Sequence, residues 1–199
     1  SVVSANPDLS VPANSLFHQT TDPATRYLIE TDPAFANYRQ WISSDYMLQQ
    51  LALDPATTQK RLGDGFYEQR LITEQIAQLT GRRFLTGYQS DEVQYQALMN
   101  AGATFAKTWQ LIPGIALSAE QMARLTSDIV WLVEKEVAGQ KVLVPQVYAR
   151  VQDGDLAPSS ALLAGAAVNL ETAGDLINSG RIAGRQVVAL TAENIRDLG

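Results

Sequence analysis

The sequence predicts an α+β protein: a small, mainly helical domain with a β-hairpin, followed by the start of a right-handed parallel β-helix. Three observations predict this fold: repeated helix-start signals, a two-strand pattern after residue 130, and a repeat of period 19 near the end. The boundary follows the aromatic residues, since all 15 lie at or before Tyr148, whereas residues 151–199 carry six of the 13 glycines. Aromatic side chains supply much of the packing area of a globular core. We therefore predict two domains, residues 1–150 and 151–199.

Helix-start signals recur in the first part of the chain. Asp-Pro-Ala occurs three times, beginning at Asp22, Asp32 and Asp54. Asp is a strong N-cap, and Pro suits the first helical position, where no N–H partner is needed. Apolar residues recur at helical spacing between residues 35 and 51. The pattern predicts a helix after Asp32 and another after Asp54.

Three further helices are predicted downstream. The helix after Asp54 is expected to stop at Gly63-Asp64-Gly65 and to resume over residues 66–79, where Gly81 is placed as a C-terminal glycine. Ser90 precedes a segment with one apolar face, which is typical of an amphipathic helix. Ser118 and Gln121 form a capping box at the start of the last helix, whose apolar residues are predicted to be Met122, Leu125, Ile129, Leu132 and Val133.

A β-hairpin is predicted where the helical period ends. Residues 130–137 and 141–144 are apolar runs on either side of Ala138-Gly139-Gln140, a plausible turn with Gly at its centre. Residues 147–151 alternate apolar and polar side chains with period two. Pro145 cannot donate a ladder hydrogen bond, so it predicts that this ribbon lies at a sheet edge.

The last 49 residues contain a repeat. Leu163-Ala164-Gly165 and Ile182-Ala183-Gly184 stand 19 residues apart, and other positions match at the same offset. A period near 20 with Gly and Asn turns is typical of a parallel β-helix. Two coils bury too little surface to be stable alone, and the chain begins at Ser1. We therefore expect an excised piece of a longer chain that continues as a solenoid.

Composition argues against several classes of function. Fifteen Lys and Arg against 21 Asp and Glu give a net charge of −6, which disfavours binding to nucleic acid or anionic membranes. The chain has no Cys and one His, which removes thiolate catalysis and the usual zinc sites. No apolar run approaches the roughly 18 residues of a membrane helix. We predict no catalytic, cofactor-binding or metal-binding residues.

Individual polar residues receive structural interpretations. His18 has no second His to work with, so a surface role is predicted. Gly63-Asp64-Gly65 lacks the Lys-Ser/Thr of a phosphate loop and is interpreted as a helix break. Asp64 and Glu68 form a potential carboxylate pair, the arrangement used for glycoside hydrolysis. Arg61 and Arg70 lie close in sequence, so a solvated, ion-paired surface is preferred.

Two further sets of residues have a binding alternative. Arg82-Arg83-Phe84 with Tyr88 would suit a peptide or glycan, but cations at a helix C-terminus beside core aromatics explain them better. The Trp and Tyr residues of the first helices could form a carbohydrate platform, although their helical period indicates core. Asn178 and Asp197 occupy matching corners of the repeat, where a hydrogen-bonded turn ladder is preferred to calcium.

Several long stretches resemble the middle region of contact-dependent growth inhibition exoproteins. They are RYLIETDP (26–33), FANYRQW (35–41), RLGDGFYEQ (61–69), LMNAGATFA (98–106), TSDIVWLVE (126–134) and LVPQVY (143–148). The repeat resembles filamentous haemagglutinin coils in NSGRIAGR (178–185) and LTAENI (190–195). The resemblance implies a Tyr/Pro-enriched domain followed by haemagglutinin-type repeats. It also implies secretion through an outer-membrane two-partner pore of a Gram-negative bacterium, to the cell surface or periplasm.

From this resemblance we predict a non-enzymatic structural and export-control segment of a secreted toxin-delivery filament. Its expected partners are the secretion pore, the rest of the parent exoprotein and the target-cell envelope, with no nucleic acid and no cofactor. The alternatives are an adhesin module that binds an envelope or target-cell component and a glycan hydrolase that uses carboxylates. An exposed aromatic or Arg patch would favour the adhesin, and two facing carboxyl groups in a cleft would favour the hydrolase.

Overall fold

A computed structural model of the chain describes residues 2–12, 14–20, 22–36 and 40–150. These residues form one sheet of six strands: β1 (Val2–Ser4), β2 (Phe17–Gln19), β3 (Tyr27–Thr31), β4 (Arg61–Gly63), β5 (Ile129–Val137) and β6 (Gln140–Arg150). The helices in the same part of the chain are α1 (Pro33–Ala36), α2 (Ser44–Gln50), α3 (Gly65–Thr80), α4 (Asp91–Trp109) and α5 (Ala119–Ala123).

The sheet is mixed, and β6 is its central strand. β6 pairs with β5 in an antiparallel register that runs from Ile129↔Tyr148 to Val137↔Gln140. Its other edge pairs with β4 at Leu143 in parallel and with β1 at residues 148–150 in antiparallel orientation. β3 pairs with β4 in parallel, and β2 pairs with β3 in antiparallel orientation. The order is therefore β2-β3-β4-β6-β5, with β1 beside the C-terminal end of β6.

The predicted fold class is wrong for the described domain, because its centre is this mixed sheet and not a bundle of helices leading into a parallel β-helix. The strands β3 and β4 have only five and three residues. Periodicity alone cannot distinguish such short apolar runs from buried helix, and their pairing joins segments about 30 residues apart in sequence. The predicted coils of residues 151–199 lie outside the described residues.

The Asp-Pro-Ala motifs explain part of this error. In each, the Asp side chain accepts a hydrogen bond from the N–H two residues later, at 2.9 Å for Asp22, 2.8 Å for Asp32 and 2.9 Å for Asp54. The local turn chemistry is therefore as expected. Only Asp32 leads into a helix, the four-residue α1. A cap does not make a helix unless the following residues have an apolar face to bury.

The predicted starts of the later helices are confirmed, but α5 ends at Ala123, and Ile129, Leu132 and Val133 lie in β5 and not on its apolar face. Asp64 caps α3 by accepting from the Tyr67 N–H, and Gly81 ends that helix in the left-handed region with φ 74°. Ser90 caps α4 by accepting from the Val93 N–H. Ser118 and Gln121 form the reciprocal capping box of α5. None of the helices in the described ranges is long and apolar enough to cross a membrane.

The hairpin forms as predicted, but its predicted position at the edge of the sheet is wrong. Residues 138–139 connect β5 to β6, which is central and not at an edge. Pro145 is tolerated because its nitrogen lies on the edge of β6 that pairs with β4 and β1, at a point between those two strands. Within the described residues no strand pairs with β6 at that point. The side chain of Gln75 on α3 fills that gap: its Nε2 donates to the Pro145 carbonyl at 2.9 Å, and its Oε1 accepts from the Val147 N–H at 2.9 Å.

The main core lies between the β5–β6 ribbon and helices α2, α3 and α4. Trp131 on β5 is fully buried, and its indole Nε1 donates to the Ile115 carbonyl at 3.0 Å. A second apolar cluster surrounds Phe17, Leu28 and Leu62 on the β2–β3–β4 side of the sheet. The polar residues described next lie where β3 and β4 meet the helices.

Candidate functional site

A cluster of polar side chains lies among β3, β4, α2, α3 and α4. We call it the polar cluster, and its members are Arg26, Tyr27, Ser44, Asp45, Arg61, Glu68 and Tyr95. Ser44, Arg61, Glu68 and Tyr95 are fully buried. Buried polar groups cost free energy unless they are hydrogen-bonded, so this concentration of them is the feature of the described domain that most calls for a function.

Glu68 is the centre of the buried half of the cluster. Its Oε1 accepts from the Ser44 N–H at 2.7 Å and from the Tyr95 hydroxyl at 2.9 Å, and its Oε2 accepts from the Ser44 Oγ at 2.6 Å. Burial raises the pKa of Glu68 to about 7, although the hydrogen bonds from Ser44 and Tyr95 and the charge of Arg61 act in the opposite direction. Burial and the neighbouring Glu68 carboxylate raise the pKa of Tyr95 well above its ordinary value.

Asp45 is the centre of the open half of the cluster, which reaches solvent. Its Oδ1 accepts from Nη2 of the buried Arg61 at 2.9 Å. Its Oδ2 accepts from the Tyr27 hydroxyl at 3.0 Å and from Arg26 Nη1 at 3.2 Å. The Asp45 side chain is 20% exposed and that of Arg26 is 49% exposed. The buried and open halves of the cluster therefore meet at the adjacent residues Ser44 and Asp45, and the charge of the buried Arg61 acts on both carboxyl groups.

Two N-caps and a turn of helix place these side chains. Ser43 caps α2, which puts Ser44 and Asp45 in its first turn. Asp64 caps α3 and also accepts from the Thr31 N–H at 2.7 Å, so it ties the end of β3 to the start of α3. Glu68 follows one turn later and points toward the start of α2.

The cluster contains the groups that proton-transfer chemistry requires. A carboxyl group with a pKa near 7 suits general acid–base catalysis at neutral pH. A phenol and a guanidinium group, Tyr27 and Arg26, lie on the open side. Glu68 itself has no exposed surface, so its direct exchange partners in this conformation are Ser44 and Tyr95. Within the described ranges, no three His, Cys, Asp or Glu side chains are grouped to hold a metal ion.

The structure separates the predicted carboxylate pair. Asp64 accepts from Thr31 and Tyr67, whereas Glu68 accepts from Ser44 and Tyr95, so the two do not face one another. The interpretation of this region as a solvated, ion-paired surface is wrong for Glu68 and Arg61, which are both fully buried. It holds for Arg70, which is half exposed and pairs with Glu74 at 3.1 Å.

The other predicted residues lie on the surface or in caps. The side chain of His18 on β2 is 56% exposed and lies 3.8 Å from Glu30. Gly63-Asp64-Gly65 connects β4 to α3 and does not break a helix. Arg83 pairs with Asp91 and lies over the ring of Phe84, 5.2 Å from its centroid.

Sequence reasoning missed most of the cluster. The available signal was Glu68 itself, which lies on the apolar face of α3 at the helical spacing of Leu71, Ile72 and Ile76. An acidic residue on that face requires buried donors. Nothing local identifies Ser44 or Tyr95 as those donors, since they come from 24 and 27 residues away.

The chain is similar to bacterial exoproteins that are named as toxins or RNA nucleases. It is 48% identical over 157 residues to the protein named toxin CdiA of Yersinia pestis, covering 78% of this chain. It is 40% identical over 188 residues to tRNA nuclease CdiA-2 of Burkholderia pseudomallei, covering 94%. It is 34% identical over 166 residues to 16S rRNA endonuclease CdiA of Enterobacter cloacae, covering 83%. No family model and no solved structure matches.

The chain is thus a segment of a CdiA-type exoprotein, a protein of contact-dependent growth inhibition. It spans only 5–6% of the length of these relatives.

These names correct three of our predictions. A non-enzymatic structural and export-control segment, the absence of enzymatic activity and the absence of a nucleic-acid partner are all contradicted by relatives named as nucleases of tRNA and 16S rRNA. The prediction of no nucleic-acid partner is based on the net charge of −6, which is a sum over the whole chain. Contact with RNA depends instead on cations at the contact surface. The haemagglutinin, β-helix and adhesin assignments receive no support from these matches.

Proposed function

We propose that this chain is part of a CdiA-type nuclease toxin whose substrate is RNA in a neighbouring cell. The observation that carries the proposal is the match to relatives named as RNA nucleases over 83–94% of this chain. Secretion by a Gram-negative bacterium belongs to the same proposal. Its place in the middle region of the parent and its location at the cell surface or in the periplasm stay predictions.

The matches also bear on substrate choice. A relative named tRNA nuclease and one named 16S rRNA endonuclease match most of the same chain. A segment that is shared by proteins with different named RNA targets is expected to act in a step that those proteins have in common. We therefore propose that this segment does not select between tRNA and 16S rRNA.

The open half of the polar cluster is the part of the described domain best equipped for RNA. Phosphodiester cleavage uses a proton acceptor, a proton donor and a cation near the phosphate. Asp45, Tyr27 and Arg26 supply these three groups, since the Tyr27 hydroxyl and Arg26 Nη1 both donate to Asp45 Oδ2, at 3.0 and 3.2 Å. Arg26 is the member most exposed to an incoming phosphate.

The first test measures RNA in target cells after contact with producers of the full-length parent. Fragmented tRNA or rRNA is expected, and Arg26→Gln should reduce the fragments about tenfold, less than the 10²–10³ of a buried donor because Arg26 is half exposed. Arg70→Gln is the matched control, since its side chain has nearly the same exposure. Growth inhibition with intact RNA would refute the nuclease proposal. Equal fragmentation by both variants would show that the polar cluster takes no part in cleavage, and it would leave the nuclease proposal itself standing.

A second test exchanges this segment between parents. The corresponding segment of the Burkholderia relative, which is 40% identical, replaces this one in its parent, and the cleaved RNA is identified by mapping the fragment ends. The cleavage position is expected to remain that of the recipient protein. A cleavage position that moves with the segment would show that the segment selects the RNA.

A further inference from the structure

Glu68 is a fully buried carboxyl group whose three hydrogen-bond donors are all uncharged. They are the Ser44 N–H, the Ser44 hydroxyl and the Tyr95 hydroxyl. A buried carboxylate without a cation in contact is costly, because neutral donors replace only part of its hydration. The geometry around Glu68 therefore favours its neutral form.

The surrounding charges do not reverse this preference. Tyr95 faces Glu68 from α4, Ser44 from α2, Arg61 from β4 and Tyr27 from β3. Arg61 is the cation of this group, but its two terminal nitrogens donate to Asp45 and to the Gln59 carbonyl. Because Arg61 is already paired with the Asp45 carboxylate, it attracts a second negative charge at Glu68 less strongly.

The neutral form of Glu68 can be fully satisfied in the same site. A protonated carboxyl group has one O–H donor, and the hydroxyl groups of Ser44 and Tyr95 can each accept as well as donate. One hydroxyl rotation therefore accommodates the added proton without any movement of the helices. The Ser44 N–H keeps its bond to the other carboxyl oxygen.

We propose that Glu68, Ser44 and Tyr95 form a proton-dependent lock that holds the start of α2 and the N-terminal part of α4 against α3. The domain takes up a proton at Glu68 when it folds, and it is held most firmly on the acid side of neutrality. Above neutrality the buried group ionises and the contact among the three helices weakens. The lock depends on this geometry alone and not on the proposed nuclease function.

The direction of the pH dependence follows from the two states of the protein. In the unfolded chain Glu68 releases its proton near pH 4.3, whereas in the folded domain its pKa is raised to about 7. The stabilisation is therefore fully present below about pH 4. It declines as the pH rises above the unfolded pKa and is lost once the pH passes the folded value.

The test compares thermal unfolding of the full chain and of Glu68→Gln between pH 5 and 8.5. Gln has the shape and the donor of the neutral carboxyl group, so the two proteins should unfold at similar temperatures at pH 5. At pH 8.5 the wild type should unfold on the order of 5–10 °C below the variant. Glu74→Gln is the control, because Glu74 lies on the same helix and its side chain is 44% exposed.

A second measurement keeps the proposal testable if Glu68→Gln does not fold. The infrared band of a protonated carboxyl group should be present in the folded wild type at pH 6 and disappear as the pH rises past 8. Tyr95→Phe removes one donor to the carboxylate, so it should move the disappearance of the band to higher pH. A wild type that lacks the band at pH 6, or that unfolds in parallel with Glu68→Gln at every pH, would overturn the lock.

Discussion

Replacing Gly102 with Ala is expected to lower the free energy of unfolding by about 3 kcal/mol, at the upper end of the usual cost of overpacking. Gly102 lies in α4 where the helix meets β5, and a Cβ at this position would be 2.0 Å from the Val130 carbonyl oxygen. That oxygen belongs to the backbone of a buried strand and cannot move aside as a flexible side chain can. The helix must therefore retreat from the sheet.

The sign of this effect is informative. In a helix that does not contact a neighbour, Gly→Ala stabilises by about 1 kcal/mol, because Ala restricts the unfolded chain and Gly does not. A loss of stability can thus arise only from the close packing around Gly102, where the added Cβ would meet the β5 backbone and, at 2.7 Å, the flexible end of the Met47 side chain. Denaturant unfolding of the Gly102→Ala variant measures it, and Thr104→Ala, at an exposed position of the same helix, should change stability by less than about 0.5 kcal/mol. A Gly102→Ala protein as stable as the wild type would mean that α4 does not approach the strand this closely.

The sequence predicts the structure well where a signal is local. The caps at Ser90 and Ser118 and the glycine at Gly81 each act within one turn of helix, and all three are found as predicted. The hairpin between β5 and β6 is equally local, because its turn fixes its register. These elements make up most of residues 64–150.

The sequence predicts the structure poorly where pairing is long-range. β3 and β4 form only because each pairs with a strand far away in sequence, β4 with β6 at the Arg61↔Leu143 position. The sequence predicts an edge position for Pro145 because a central strand normally pairs on both sides, whereas the stretch of β6 beside Pro145 bonds the Gln75 side chain instead. The polar cluster was missed for the same reason, because Glu68 meets Ser44 and Tyr95 only after three helices have packed.

The Gln75 side chain shows how one residue can complete such a sheet. Its amide has a donor and an acceptor in the arrangement of a backbone peptide, and it bonds the Pro145 carbonyl and the Val147 N–H as a neighbouring strand would. Gln75 is fully buried, so water cannot readily take its place. The helix α3 thereby supplies the hydrogen bonds that β4 and β1 are too short to supply.

Replacing Gln75 with Leu is expected to lower the free energy of unfolding by about 3 kcal/mol. Leu fills a similar volume, but it leaves one carbonyl and one N–H of β6 buried without partners, at about 1–3 kcal/mol each. The Val147 amide should also lose its protection in hydrogen-exchange measurements, because its acceptor is gone. Amides that pair β6 with β5, such as that of Val144, should keep most of their protection from hydrogen exchange.

Gln78→Leu is the matched control for this prediction. Gln78 lies on the same helix and its buried Oε1 has no hydrogen-bond partner within the described part of the chain. Replacing it removes an unsatisfied polar atom, so stability should be unchanged or slightly increased. Equal losses in the two variants would mean that any Gln→Leu change in α3 is harmful. In that case the pairing of β6 would depend on β1, β4 and β5 alone, and the tolerance of Pro145 in the central strand would need another explanation.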